Sequence, residues 1–133
     1  TRFKQMCRPG TFITKWRARV YDMFDTLAPF TCSDSRSLAR YGIRYMRMRS
    51  GERWYSSSSA RGYTSYKAAG QLRHGFIQKF CLDNQCAGGG YKGAQITGPK
   101  QVARCPSGAK LAGFSGRLMP CQTSNGVQKY IHE

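Results

Sequence analysis

The sequence predicts a single all-β domain, built as an antiparallel barrel, prism or sandwich with an internal pseudo-repeat and three disulfides. Short segments of alternating apolar and polar residues recur along the chain, with turn residues between them. The 133 residues include 15 glycines, and no long stretch has the apolar spacing of a helix. A chain of this length normally forms one domain, which we expect to span residues 1–133.

Two segments near opposite ends of the chain share one layout. Residues 7–19 read Cys-Arg-Pro-Gly-Thr-Phe-Ile-Thr-Lys-Trp-Arg-Ala-Arg, and residues 105–117 read Cys-Pro-Ser-Gly-Ala-Lys-Leu-Ala-Gly-Phe-Ser-Gly-Arg. Each copy is a cysteine, a Pro/Gly turn and a half-buried strand in which Trp16 matches Phe114. The sequence therefore predicts repeat-like units near 7–32 and 105–131.

Further elements are predicted along the first half of the chain. Residues 11–20 alternate as a strand, and a second strand leads to Cys32 before a polar turn at 33–35. The arginine-rich segment 36–53 fits a strand better than a helix. Residues 54–75 interleave serine, glycine and tyrosine, which indicates an ordered loop or edge region.

The second half of the chain is predicted to hold four short strands and their turns. Residues 76–82 are predicted to form a strand, and the later glycines 88–90 indicate a tight turn or a close backbone approach. A brief strand at 94–97 precedes the second repeat copy. Asn125-Gly126 is the preferred dipeptide of a type I′ hairpin turn and leads into a last strand at 127–131.

Six cysteines are dispersed through the chain. An even number in a small chain indicates three disulfides and an oxidising compartment. Since each repeat copy opens with a cysteine, each is expected to pair with the next cysteine downstream, although the sequence also permits other pairings. The predicted bridges are Cys7–Cys32, Cys81–Cys86 and Cys105–Cys121. Only Cys81 and Cys86 are as close as paired zinc ligands usually are, and there is no C-x-x-C or H-x-x-x-H arrangement, so no metal or cofactor is predicted.

The charge is strongly positive, at +16 from 22 Lys and Arg against 6 Asp and Glu. This balance favours anionic partners: nucleic acid, anionic lipid, acidic glycans or an acidic protein. The chain begins at Thr1, and no apolar run has the length of a signal peptide core or a transmembrane segment. Together with the cysteines, these features predict a mature, secreted, extracellular protein.

The arginine-rich segment is the candidate binding surface. Arginines hold phosphates or sulfates by bidentate hydrogen bonds, and aromatic rings stack on sugars or bases. The same charges would also suit a solvated edge strand that resists aggregation. The predicted surface for an anionic partner consists of Arg44, Arg47, Arg49, Arg53, Trp54 and Tyr55.

The strand Ile13-Thr-Lys-Trp-Arg-Ala-Arg19, its Cys-x-x-Gly start and Phe24-Asp25 before Leu27 together resemble the jacalin-type β-prism lectins. Vitelline-membrane outer-layer proteins, which share that prism, are similar in their Cys-Pro-x-Gly starts. The C-terminal copy departs from the pattern after Arg117, because it lacks an aspartate. The resemblance implies a sugar site formed by an aspartate loop and a glycine-rich loop, whose residues here are Tyr21, Asp22, Asp25, Gly88, Gly89 and Gly90. Alternatively, Asp25 is a solvated turn acid near Arg17 or Arg19.

The function predicted from the sequence is that of a secreted, non-enzymatic binding protein with lectin-like recognition of glycans or anionic surfaces. One alternative is a secreted effector or toxin that binds a host protein or a membrane. Another is a small ribonuclease using His74, His132 and Glu52. Since His132 is the penultimate residue and no motif surrounds His74, no catalytic residue is assigned.

Overall fold

The computed structural model describes residues 5–20, 24–27, 30–38, 53–71, 76–88, 100–114 and 119–129. All regular secondary structure within these ranges is β, which confirms the predicted class. The strands are β1 (Gln5–Met6), β2 (Ile13–Val20), β3 (Phe24–Leu27), β4 (Thr31–Cys32), β5 (Arg53–Ser58), β6 (Ser65–Gln71), β7 (Phe76–Leu82), β8 (Gln85–Gly88), β9 (Lys100–Arg104), β10 (Ala109–Leu111), β11 (Gly113–Phe114), β12 (Cys121–Thr123) and β13 (Gln128–Lys129). Nothing in the described ranges forms a helix long and apolar enough to span a membrane.

The described strands form four antiparallel sheets. In the first sheet β2 is central, with β5 along one edge and β3 and β4 along the other. The second sheet has the order β8-β7-β6-β9, and the third has the order β10-β12-β13. β1 pairs with β11, so the N-terminal strand is joined to the C-terminal repeat copy. This pairing continues at Cys7, whose amide donates to the Ala112 carbonyl at 2.7 Å.

The two repeat copies recognised in the sequence are structurally equivalent. Ile13 in β2 lies opposite Cys32, and Leu111 in β10 lies opposite Cys121. The turns before these strands contain Gly10 and Gly108, with φ of +84° and +81°. Such left-handed backbone is readily adopted only by glycine, which explains why both copies keep a glycine after the cysteine.

A third copy, absent from the sequence prediction, lies in the second sheet. Tyr63, Tyr66 and Ala68 are buried with the same spacing as Ile13, Trp16 and Ala18. A glycine with φ of +81° again precedes them, at position 62. Within the residues that the structure describes, the second sheet therefore repeats the central strand of the first.

The core joins the first two sheets. Trp16 is 1% exposed, and its ring lies 5.4 Å from that of Phe80 on β7 in an edge-on arrangement and 5.2 Å from that of Tyr55 on β5. β3 also contacts both β7 and β8. Aromatic rings at these separations attract each other through their quadrupoles in addition to the area they bury.

Polar side chains cross between the same two sheets. The hydroxyls of Ser57 on β5 and of Tyr63 both donate to Gln85 Oε1 on β8, the latter at 2.9 Å. Burial raises the pKa of Tyr63 above its usual value near 10, more than the hydrogen bond with Ser57 lowers it. The buried amide of Gln122 donates to the carbonyls of Arg8 and Thr11, which holds the first turn against β12.

The disulfides have the predicted connectivity. Cys7–Cys32 closes the N-terminal copy, Cys105–Cys121 closes the C-terminal copy, and Cys81–Cys86 links β7 to β8. Among the described residues no cluster of His, Cys, Asp and Glu has the arrangement of a metal site.

One predicted segment is wrong. Residues 54–75 were expected to be a loop or edge region, yet they contain most of β5 and all of β6, and β6 is an interior strand of its sheet. The segment is low in aliphatic residues, because tyrosine, serine and alanine fill its described inward positions. The strands expected within 36–53 and at 94–97 lie almost wholly outside the described residues.

The hairpin at Asn125-Gly126 forms, but not with the predicted turn type. A type I′ turn needs positive φ at both central residues, whereas here Gly126 has φ of +81° and Asn125 keeps a negative φ. The Gly126 amide donates to the Thr123 carbonyl at 2.9 Å. The loop is thus a wider hairpin that ends in a left-handed glycine.

Substitutions at two turn glycines, Gly108 and Gly126, distinguish the cost of backbone strain from the cost of a steric clash. A Cβ at Gly108 meets nothing within 4 Å, whereas a Cβ at Gly126 lies 2.6 Å from Pro9 Cβ and 3.2 Å from Pro9 Cα. We expect Gly108→Ala to lower the free energy of unfolding by about 1–2 kcal/mol through positive φ alone. Gly126→Ala should cost more, since the turn at Pro9 must also move. Urea unfolding of both variants measures the difference, and equal losses would show that the contact with Pro9 relaxes freely.

Candidate functional site

The outward face of β2 carries a row of cations. A register shift between Ile13 and Lys15 allows Ile13 and Trp16 both to point into the core. From Lys15 to Ala18 the strand alternates, with Lys15 and Arg17 exposed and Trp16 and Ala18 buried, and Arg19 after them is buried as well. The alternation follows from the opposite directions of successive strand side chains.

β5 contributes hydroxyls and an indole to the same face. Ser58 lies opposite Lys15, Ser56 opposite Arg17 and Trp54 opposite Arg19. The intervening residue Tyr55 packs against Trp16, so β5 also alternates between core and surface. Cross-strand partners have Cβ atoms about 5 Å apart, close enough for two side chains to hold one ligand group.

These residues define the first basic face, which also includes Thr31 on β4 opposite Lys15. A shallow cavity of about 330 Å³ lies over it. The members of the first basic face are Lys15, Arg17, Arg19, Thr31, Trp54, Ser56 and Ser58.

Trp54 organises the cations beside it. The guanidinium carbon of Arg17 lies 4.3 Å from the centre of the Trp54 ring, and that of Arg19 lies 5.9 Å away. Arg19 is only 3% exposed, whereas Arg17 is exposed. Stacking on an indole attracts the guanidinium and restricts its rotamers, leaving its N–H groups available at the ring edge. Arg17 is therefore positioned before any ligand arrives.

The two acidic side chains that the structure describes make their contacts elsewhere. Asp34 accepts from the Arg36 amide at 3.2 Å. Asp83 accepts from the amides of Thr64 at 3.1 Å and Ser65 at 3.0 Å. Asp34 is therefore held within its own turn, and Asp83 ties the β7–β8 turn to the start of β6. Lysine, arginine and hydroxyl groups are the donors by which proteins commonly bind sulfate, phosphate or carboxylate groups, and on the first basic face they share one surface.

The predicted anionic-partner surface is described only in part. Arg53 is exposed at the start of β5, and Trp54 belongs to the first basic face. Tyr55 lies on the opposite side of β5, against the core. Arg44, Arg47 and Arg49 lie outside the described residues.

The predicted sugar site is also described only in part. Asp25 lies in β3 and Gly88 ends β8, and these strands contact each other. Gly88 has φ of +86°, in agreement with a glycine-dependent backbone. Outside the described residues lie Tyr21, Asp22, Gly89 and Gly90, and with them His74, His132 and Glu52.

The sequence prediction missed Lys15, Arg17, Ser56 and Ser58 as site residues. A signal was present, since Lys-Trp-Arg-Ala-Arg alternates cations with apolar residues inside a predicted strand. The prediction lacked the partner strand β5, because residues 54–75 were expected to be a loop or edge region. Without β5, the serines and Trp54 had no assigned place beside the cations.

Comparisons with known proteins give no relative. No family model matches the chain, and neither does a curated protein or a solved structure.

Proposed function

We propose that this protein is a non-enzymatic, lectin-like binder of acidic glycans and that the first basic face is its binding site. The observation that carries the proposal is the alignment of Lys15 and Arg17 with the hydroxyls of Ser56 and Ser58 on one exposed sheet surface. We place this function outside the cell, since three disulfides favour an oxidising compartment.

The geometry suits an extended polymer. Lys15 and Arg17 are two residues apart on a strand, which separates them by about 7 Å. They therefore bind neighbouring anionic groups rather than a single one. The serine hydroxyls lie directly across from them and can donate to or accept from sugar hydroxyls.

The same geometry favours a glycan over a nucleic acid. Proteins bind single-stranded nucleic acids by stacking bases on open aromatic faces. On the first basic face the aromatic ring is that of Trp54, which is half-buried and already stacked by Arg17 at 4.3 Å. A sulfated or carboxylated sugar needs only the outward N–H groups of that arginine.

The double substitution Lys15→Gln with Arg17→Gln tests the site. We expect affinity for a defined sulfated hexasaccharide to fall about tenfold or more in low salt, because both charge-assisted contacts are lost. The free energy of unfolding should change by less than about 0.5 kcal/mol, as both side chains are on the surface. Titration calorimetry gives the affinity, and urea unfolding gives the stability.

The matched control is Arg36→Gln with Arg61→Gln, which removes the same charge from exposed positions outside the first basic face. Affinity should fall by less than about twofold, through the long-range field alone. Equal losses in the two double variants would show that net charge, not this face, binds the glycan. Tighter binding of a single-stranded RNA with the same number of charges would overturn the choice of ligand.

A further inference from the structure

The second sheet repeats the register of the first. In the first sheet Lys15, Trp16 and Arg17 lie opposite Ser58, Ser57 and Ser56. In the second sheet Ser65, Tyr66 and Lys67 lie opposite Arg104, Ala103 and Val102. Trp16 and Tyr66 are both buried. In each sheet, the residues on either side of the buried aromatic residue, Trp16 on β2 or Tyr66 on β6, therefore face outward at equivalent positions.

The outward positions of the second sheet again carry cations. Lys67 and Arg104 are exposed, and Lys79, opposite Ala69 on β7, is half-exposed. Lys67 occupies the place of Arg17, while Arg104 on β9 occupies the place of Ser58. The cation that the first sheet has on its central strand, Lys15, thus has its counterpart on the neighbouring strand, as Arg104. Lys67 and Arg104 are still two exposed cations, about one cross-strand diagonal apart. We name Lys67, Lys79, Val102 and Arg104 the second basic face.

The second basic face differs from the first in chemistry. Its register pair Ala69–Lys100 stands where the first sheet has Arg19–Trp54, so no indole stacks on the cations there. The Ser65 hydroxyl, which would be the counterpart hydroxyl donor, already donates to Asp83 Oδ1 at 3.1 Å. Val102, 40% exposed, adds an apolar surface between the cations. The main attraction between the second basic face and a ligand is therefore electrostatic.

We propose that the second basic face is a second, weaker site for the same acidic glycan, which makes the protein bivalent. This inference rests on the proposed function. Charge complementarity favours the acidic glycan as the ligand of the second basic face, because its cations belong to a chain of net charge +16. The named residues of this face also provide no aromatic ring or free hydroxyl that would select a neutral sugar.

The two faces point away from a shared core. Their sheets pack through inward residues, with Trp16 of one against Phe80 of the other at 5.4 Å. A short oligosaccharide therefore occupies one face at a time, whereas long chains are cross-linked. Because the second site depends on charge, it should be lost at a lower salt concentration than the first.

Titration calorimetry with the sulfated hexasaccharide in low salt tests this inference. The protein should bind two hexasaccharides with unequal affinities. Lys67→Gln with Arg104→Gln should leave one, with the affinity of the tighter site unchanged. That variant should also lose the turbidity that a long sulfated polysaccharide produces with the unaltered protein, and the Arg36→Gln, Arg61→Gln protein should keep it. Thermal unfolding checks that each variant is folded.

The outcomes separate the two proposals. A single site in the unaltered protein that is removed by Lys15→Gln with Arg17→Gln would overturn the second site and leave the proposed function intact. Two sites that both survive Lys67→Gln with Arg104→Gln would place the second site elsewhere and overturn this inference. The absence of any binding to the unaltered protein would overturn the proposed function itself.

Discussion

Replacing Trp16 with alanine is expected to lower the free energy of unfolding by about 3–5 kcal/mol. The indole is 1% exposed and contacts the rings of Tyr55 and Phe80, which belong to different sheets. Its removal leaves a cavity where the first and second sheets meet. Since a domain of this size has about 5–15 kcal/mol of total stability, the variant should be close to unfolding at 37 °C.

Trp54 provides the matched control for that experiment. It lies in the same sheet, but on the outer face beneath Arg17. Trp54→Ala should therefore cost only about 1 kcal/mol of stability, while glycan affinity falls because Arg17 is no longer held in position. Urea unfolding measures the first effect and calorimetry the second. If Trp54→Ala were as destabilising as Trp16→Ala, the outer face would be part of the core and not a binding surface.

Removal of the Cys7–Cys32 disulfide by serine substitution at both positions is expected to cost about 3.5 kcal/mol. The bridge closes a sequence separation of 25, and cross-linking a loop of that size restricts the unfolded chain by about this amount. Both cysteines are buried, and Cys7 also donates its amide to Ala112. The bridge thus fixes the segment around Cys7 to β4 of the first sheet. The strand just before Cys7, β1, pairs with β11.

The Cys81–Cys86 disulfide should contribute less. Its sequence separation is 5, which corresponds to about 2 kcal/mol in the same treatment. The backbone ladder between β7 and β8 holds these two residues opposite each other without the bridge. Thermal unfolding of the two double-serine variants ranks the bridges. A larger loss from the shorter loop would mean that the entropy of the unfolded chain does not dominate here.

Local patterns account for the elements that the sequence predicted well. β7 has the predicted bounds because Phe76–Leu82 is rich in aromatic and aliphatic residues and is followed by turn residues. The N-terminal and C-terminal copies were visible because each begins with a cysteine and a glycine at fixed spacing. That spacing is imposed by a turn with positive φ at Gly10 and Gly108, a requirement within a few residues of chain. The disulfide pairing followed from the same local units.

The third copy was hidden because long-range contacts replace its local signals. It has no cysteine at its start, and its glycine lies one residue before Tyr63 instead of three residues before, as Gly10 lies before Ile13. β6 is stabilised by pairing with β7 and β9, which are distant in sequence. Its small and polar residues become strand-forming only when those neighbours supply the ladder and the core contacts.

The sequence by itself determined that the protein is β-rich, disulfide-bonded and highly cationic, since composition and short-range spacing suffice for each of these properties. Only the tertiary structure decided where the described charges face. Lys15, Arg17, Lys67 and Arg104 become two surfaces because strand registers, set by pairing between distant segments, align them outward across from serine or valine. A shift of one residue in either register would turn these cations toward the core. The burial of Trp16 and Tyr66, which lie between the cations, prevents that shift.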